Sequence, residues 1–71
     1  MKRYAIVVER AAQNYGGYVP DLPGCVTTGE TVEATERLLR EAIAIHVAGL
    51  QQDGLPVPEP SSIVDYIEVS A

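Results

Sequence analysis

One thiol, one imidazole and ten carboxylates are the groups in this 71-residue chain that could carry chemistry. Cys25 could act as a nucleophile if a base lay within reach and its surroundings lowered the thiol pKa. The single histidine, His46, falls on the apolar stripe of a predicted helix, where an imidazole serves the core more often than catalysis. A small buried thiol in a strand is also the commoner state of a lone cysteine. One Cys and one His cannot supply the four N/S ligands of a structural zinc site. Metal-assisted phosphoryl hydrolysis needs several carboxylates converging on one point. Here Glu9 ends a predicted strand, Asp21 lies in a turn, Asp65 sits in another strand, and most others line a solvated helix face. Gly16, Gly17, Gly24 and Gly29 do not form a phosphate-cradling loop followed by Lys. The residue types therefore select no enzyme, no metal and no cofactor.

The elements that hold these groups must fit in one small domain, residues 1–71. A chain of this length buries roughly 60% of the surface exposed by its unfolded form, so oligomerisation or a permanent partner is the expected supplement to its core. Ten acids against five bases give a net charge of −5. That balance argues against nucleic acid as a direct ligand, since phosphate binding needs clustered Lys and Arg. It is compatible with a basic protein partner, but solubility alone explains it as well and is the commoner reason for such a balance. The apolar run Tyr4–Val8 is too short for a signal peptide and is ended by Glu9 and Arg10. No stretch approaches the ~20 apolar residues of a membrane span, which makes a cytoplasmic protein the default expectation.

Residues 3–9 (RYAIVVE) read as a strand, with Tyr4, Ile6 and Val8 on one side. Asn14–Gly17 reads as a turn, residues 17–19 as a second short strand ended by Pro20, and residues 25–27 as a third after the Pro23-Gly24 turn. From Thr31 to about Asp53 the period changes to that of an amphipathic helix, with Val32, Leu39, Ile43, His46 and Leu50 on its stripe. Thr31 is the expected N-cap and Gly54 the C-terminal stop. Glu33→Arg37 and Glu36→Arg40 are i,i+4 pairs in the favourable orientation, each worth ~0.3 kcal/mol. Three alternating prolines in LPVPEPSS (residues 55–62) should carry the chain back along the helix, and IVDYIEV (63–69) reads as a fourth strand. The expected architecture is α+β, β-β-β-α-β, with a mixed four-stranded sheet in the order 3-2-1-4 and the helix on one face. The second sheet face would be uncovered and would imply an interface. The four tyrosines (Tyr4, Tyr15, Tyr18, Tyr66) suit either that interface or a core without Phe and Trp.

The run from Gly16 to Ser62 resembles the HicB antitoxin family. It carries Gly17-Tyr18, Pro20-Asp21-Leu22-Pro23-Gly24-Cys25, Thr27 or Thr28, Gly29 and Thr31, then a helix, then Asp53-Gly54 and Pro58 to Pro60. The block is one residue shorter between Tyr18 and Pro20 than the fuller family pattern. The resemblance implies a partial ribonuclease-H-like fold and a non-enzymatic antitoxin of a type II toxin-antitoxin pair. Such a protein binds and occludes a small basic HicA-type ribonuclease toxin. Transcription-repressing members add a C-terminal DNA-binding domain, which this sequence does not show, so direct DNA binding is not expected. The candidate partner-binding residues are Tyr18, Asp21, Leu22, Pro23 and Glu30, with Asp21 and Leu22 at the loop apex. A homodimer or higher homo-oligomer is expected through the open sheet. The alternative is an orphan domain, without a toxin, that serves as a regulatory or small-ligand binding module.

Overall fold

A computed structural model describes the chain from Met1 to Ala71. Its longest element, α1 (Val32–Gln52), starts and stops where the capping residues dictate. Thr31 is extended, and its Oγ1 accepts the Ala34 N–H at 3.0 Å, satisfying one of the orphan donors of the first turn. At the other end Gly54 takes a positive φ of 69°. Its N–H donates to the Gln51 carbonyl at 3.1 Å, and the Leu55 N–H donates to the Leu50 carbonyl at 2.9 Å. These two bonds close a Schellman motif, which glycine permits without a Cβ clash. Neither i,i+4 pair on the helix surface closes to ion-pair distance; the ion pair that forms is Lys2–Glu59. Exposed pairs of this kind gain too little to fix two long side chains in one geometry.

Three strands form an antiparallel meander: β1 (Val7–Arg10), β2 (Tyr15–Tyr18) and β3 (Val26–Gly29), with β2 central. The β1–β2 hairpin turns at residues 11–14, where the Ala11 N–H donates to the Asn14 carbonyl at 2.8 Å. The expected turn at Asn14–Gly17 is therefore displaced, and Tyr15-Gly16-Gly17-Tyr18 is instead the middle strand. Close packing explains Gly17 of this strand and Gly29 of β3. A Cβ on Gly17 would lie 2.7 Å from Leu39 Cδ1 and 2.8 Å from Thr35 Cγ2, and one on Gly29 would lie 2.8 Å from the Thr35 backbone nitrogen. These two glycines let the first half of α1 rest directly on the sheet, where Thr35 and Leu39 are completely buried. The core is Val19, Leu22, Cys25 and Leu39, with Tyr4, Ile6, Val8, Ala42, Ile43 and Val47 packed around it.

The expected four-stranded sheet of order 3-2-1-4 is corrected: the sheet has three strands, and residues 63–69 join no ladder. Two local causes account for this. β2 stops at Tyr18, just short of Pro20, which has no N–H to give a ladder. Arg3–Ile6 accordingly lie outside the strand that the alternation assigned to residues 3–9, and β1 begins only at Val7. The Pro-rich segment then takes the chain past this N-terminal stretch by side-chain anchors: Tyr4 Oη donates to the Pro58 carbonyl at 2.6 Å, and Lys2 pairs with Glu59. After Ser61 and Ser62 the chain departs with Ile63, Tyr66 and Ile67 about nine-tenths exposed. A strand pattern records β-propensity, but a ladder also needs an edge in register.

Candidate partner-binding surface

The loop between β2 and β3 is two successive turns built on prolines. The Leu22 N–H donates to the Val19 carbonyl and the Cys25 N–H to the Leu22 carbonyl, both at 3.1 Å. Pro20 and Pro23 stand second in their turns, and Gly24 supplies a positive φ of 85° in third place, as a type II turn requires. The Val19 N–H donates to the Cys25 carbonyl at 3.1 Å and locks the loop across its base. This geometry throws Leu22 inward, where it is fully buried against Leu39 and its neighbours. The expectation that Leu22 is offered to a partner from the apex is therefore corrected: its side chain belongs to the core. Pro23 remains on the surface, and Asp21 is half-exposed.

Asp21 is engaged within its own chain. Its carboxylate accepts the Ser61 and Ser62 N–H groups, each at 3.0 Å, and both hydroxyls, at 3.1 and 2.9 Å. The backbone N–H of Ser62, then that of Ser61, and next the Ser62 hydroxyl hold its pKa down from 3.8 to about 2. A depressed carboxylate pKa stabilises the fold fully above the ordinary value, and this is lost as pH falls through the lowered one. The clip is thus intact above about pH 4 and opens as pH drops toward 2. Amide exchange of Ser61 and Ser62 checks this. At pH 6 both amides are expected to be protected, and Asp21→Asn to lose that protection while α1 keeps its own. Unprotected amides in the unmodified chain would show that no clip exists.

Tyr18 lies on the sheet face turned away from α1. Cross-strand register places Val7, Tyr18 and Val26 side by side there, with Tyr18 39% and Val26 66% exposed. This apolar row is continuous with the β2–β3 loop. Glu30 is exposed at the opposite end of the sheet, beside Arg10, Asn14 and Tyr15 of the hairpin. The structure therefore brings Tyr18, Asp21 and Pro23 to one end, Glu30 to the other, and Leu22 inside. Sequence reasoning missed Val26 as a member of the row.

Cys25 is buried, and burial pushes its thiol pKa up, away from the thiolate a nucleophile needs. His46 shares a shallow hollow of about 260 Å³ with Cys25, Gly24, Val26, Ala42 and Ile45, and makes no hydrogen bond to the thiol. No group of three or more His, Cys, Asp or Glu side chains converges as a metal site, and no helix is long and apolar enough to cross a membrane.

The family model described as the HicB_like antitoxin of bacterial toxin-antitoxin system matches residues 4–70. The chain belongs to this HicB-like antitoxin family. A chain of the solved HicA3 and HicB3 toxin-antitoxin complex superposes with a TM-score of 0.70 at 32% identity, covering 83% of this chain and 70% of that one. An uncharacterized 14.9 kDa protein from the rep-hol intergenic region of Haemophilus phage HP1 is 34% identical over 64 residues. This HicB-like chain spans 90% of itself but about half (48%) of that phage relative. A UPF0150 protein of Helicobacter pylori (strain J99) is 32% identical over 65 residues, covering 90% of both chains.

Proposed function

We propose that this HicB-like protein neutralises a HicA-type toxin in the cytoplasm by covering the toxin's RNA-cleaving site, acts without catalysis of its own, and does so as a homodimer. The observation that carries the reading is the row Val7–Tyr18–Val26 beside the double-turn loop, in which Tyr18 and Val26 are exposed. An apolar row with a tyrosine at its centre, framed by polar loops, has the make-up of a protein interface. The net charge of −5 favours encounter with a basic partner. The likeness to a chain of a HicA/HicB complex supplies the class of that partner.

The test is co-purification with a HicA-type toxin, followed by an RNA-cleavage assay. Tyr18→Ala combined with Val26→Asp is expected to weaken the complex by roughly tenfold or more, the loss typical of an interface hot spot, and to restore cleavage. The helical circular-dichroism signal should stay unchanged, because neither side chain belongs to the core. Full inhibition by the double variant would overturn the surface assignment. Absence of any complex with the unmodified chain would overturn the antitoxin reading and leave the orphan binding module.

A further inference from the structure

The C-terminal stretch is shaped like a strand and has nothing to pair with. In Ile63-Val64-Asp65-Tyr66-Ile67-Glu68-Val69 one side carries Ile63, Ile67 and Val69, the other Val64 and Tyr66, and all five are exposed, between 58% and 93%. No backbone N–H or carbonyl of this stretch bonds to another backbone group; its one hydrogen bond is from the Tyr66 N–H to the neighbouring Asp65 side chain. The chain is correspondingly elongated. Its radius of gyration is 13.8 Å, against ~11 Å for a compact chain of this length. Its long axis of 48 Å compares with 26 and 18 Å across. A soluble chain does not hold five large apolar side chains in water at one place without a surface to receive them.

A second unpartnered feature adjoins the first. β1 pairs only with β2, so its other edge is open, and the residues leading into it, Arg3–Ile6, lie outside any ladder. Arg3, Tyr4 and Ala5 share a shallow hollow with Ser62 and Val64, which puts the root of the arm beside this edge. Charge matches as well: the arm carries Asp65 and Glu68, and Arg3 is exposed without an ion-pair partner. The anchors at Pro58, Ser61 and Ser62 fix the root, and beyond Val64 the arm's large apolar residues, Tyr66, Ile67 and Val69, are 79–89% exposed.

We infer that residues 63–69 are an exchanged arm that docks on a second copy of this chain, along that copy's N-terminal edge at Arg3–Ile6, with the second copy's arm returned in the same way. A twofold axis near the hollow satisfies both contacts at once, as an isologous interface requires. Two arms with ten large apolar side chains between them, each covering a comparable area of the other body, reach the roughly 1,200–2,000 Å² of a stable interface. Extended-strand docking also satisfies the free backbone groups of the arm and of the edge together. The inference rests on the homodimeric reading above and names the element that makes the dimer.

Two measurements on the full chain, without toxin, test it. Light scattering is expected to give twice the chain mass for the unmodified protein and the single chain mass for Ile67→Asp/Val69→Asp, with the helix signal intact. A photo-crosslinking residue at position 66, in a mixture of isotope-labelled and unlabelled protein, is expected to give mixed-mass adducts at residues 2–6. A monomeric unmodified protein overturns both the homodimer and the arm. A dimer that survives the double substitution, or adducts confined to one copy or located elsewhere, overturns the arm alone. Should the double variant unfold, the crosslink position decides.

Discussion

Leu22→Ala is expected to unfold most of the protein at 37 °C rather than simply to weaken partner binding. Leu22 is completely buried within the four-residue core it forms with Val19, Cys25 and Leu39. Truncating a buried leucine costs ~2–5 kcal/mol, depending on how far the site can collapse. Collapse is restricted here, because the loop is held by three backbone hydrogen bonds and two prolines. A single core of this size rarely supplies more than ~3–5 kcal/mol, so the loss is comparable to the whole stability. Thermal denaturation followed by circular dichroism checks this, with an expected drop of ~10 °C or more. An unchanged melting temperature with impaired toxin binding would return Leu22 to the surface role that the sequence suggested.

The glycines under α1 give the second large effect, with an internal control. Gly29→Ala places a Cβ 2.5 Å from Thr35 Oγ1 and, beyond that side-chain atom, 2.8 Å from the Thr35 nitrogen and 3.0 Å from its Cα. Backbone cannot step aside, so the start of the helix must lift from the sheet, a strain of ~1–3 kcal/mol. Gly17→Ala meets side-chain atoms instead, Leu39 Cδ1 and Thr35 Cγ2. Both substitutions should lower the denaturation midpoint. Thr35→Ser, which deletes the methyl carbon, should recover part of the Gly17→Ala loss and none of the Gly29→Ala loss. Equal recovery in the two double variants would mean that the helix is free to shift. A double-mutant cycle reads this coupling directly.

Much of this architecture was legible in local sequence. The helix followed from its apolar spacing, its start from Thr31 and its end from Gly54, because caps and periodicity are properties of neighbours along the chain. The meander followed from short strands separated by turn residues. Three things were not legible, for three physical reasons. Asn14–Gly17 carries a turn signature, yet Gly17 answers a helix 18 to 22 residues further on, at Thr35 and Leu39. Leu22 belongs to neither a twofold nor a 3.6-fold pattern, so no periodicity reports that a double turn points it inward. Residues 63–69 have the composition of a strand, but composition does not contain the edge that would accept them. The site was read in the same mixed way. Tyr18 and Pro23, named as candidate partner-binding residues, lie on the surface, while the attachment of Asp21 to Ser61 and Ser62 spans forty residues and leaves no local trace.

The disproportion between helix and sheet has a mechanical consequence. Strands of four residues extend ~13 Å, whereas a helix of 21 residues runs ~31 Å. The first half of α1 stands on the sheet through Thr35 and Leu39, and Ala42, Ile43 and Val47 carry the packing on against the core. The last turns overhang it: Ile43 and Val47 also face Met1, Tyr4 and Val57, while Ala44, Ile45 and Ala48 are exposed. The domain thus divides into a stiff end, where glycine lets backbones meet, and a more compliant end, where the helix faces the N-terminus and the Pro-rich segment. Loosening of the helix beyond Val47 can proceed without breaching the core, so local opening and global unfolding are separate events in this molecule.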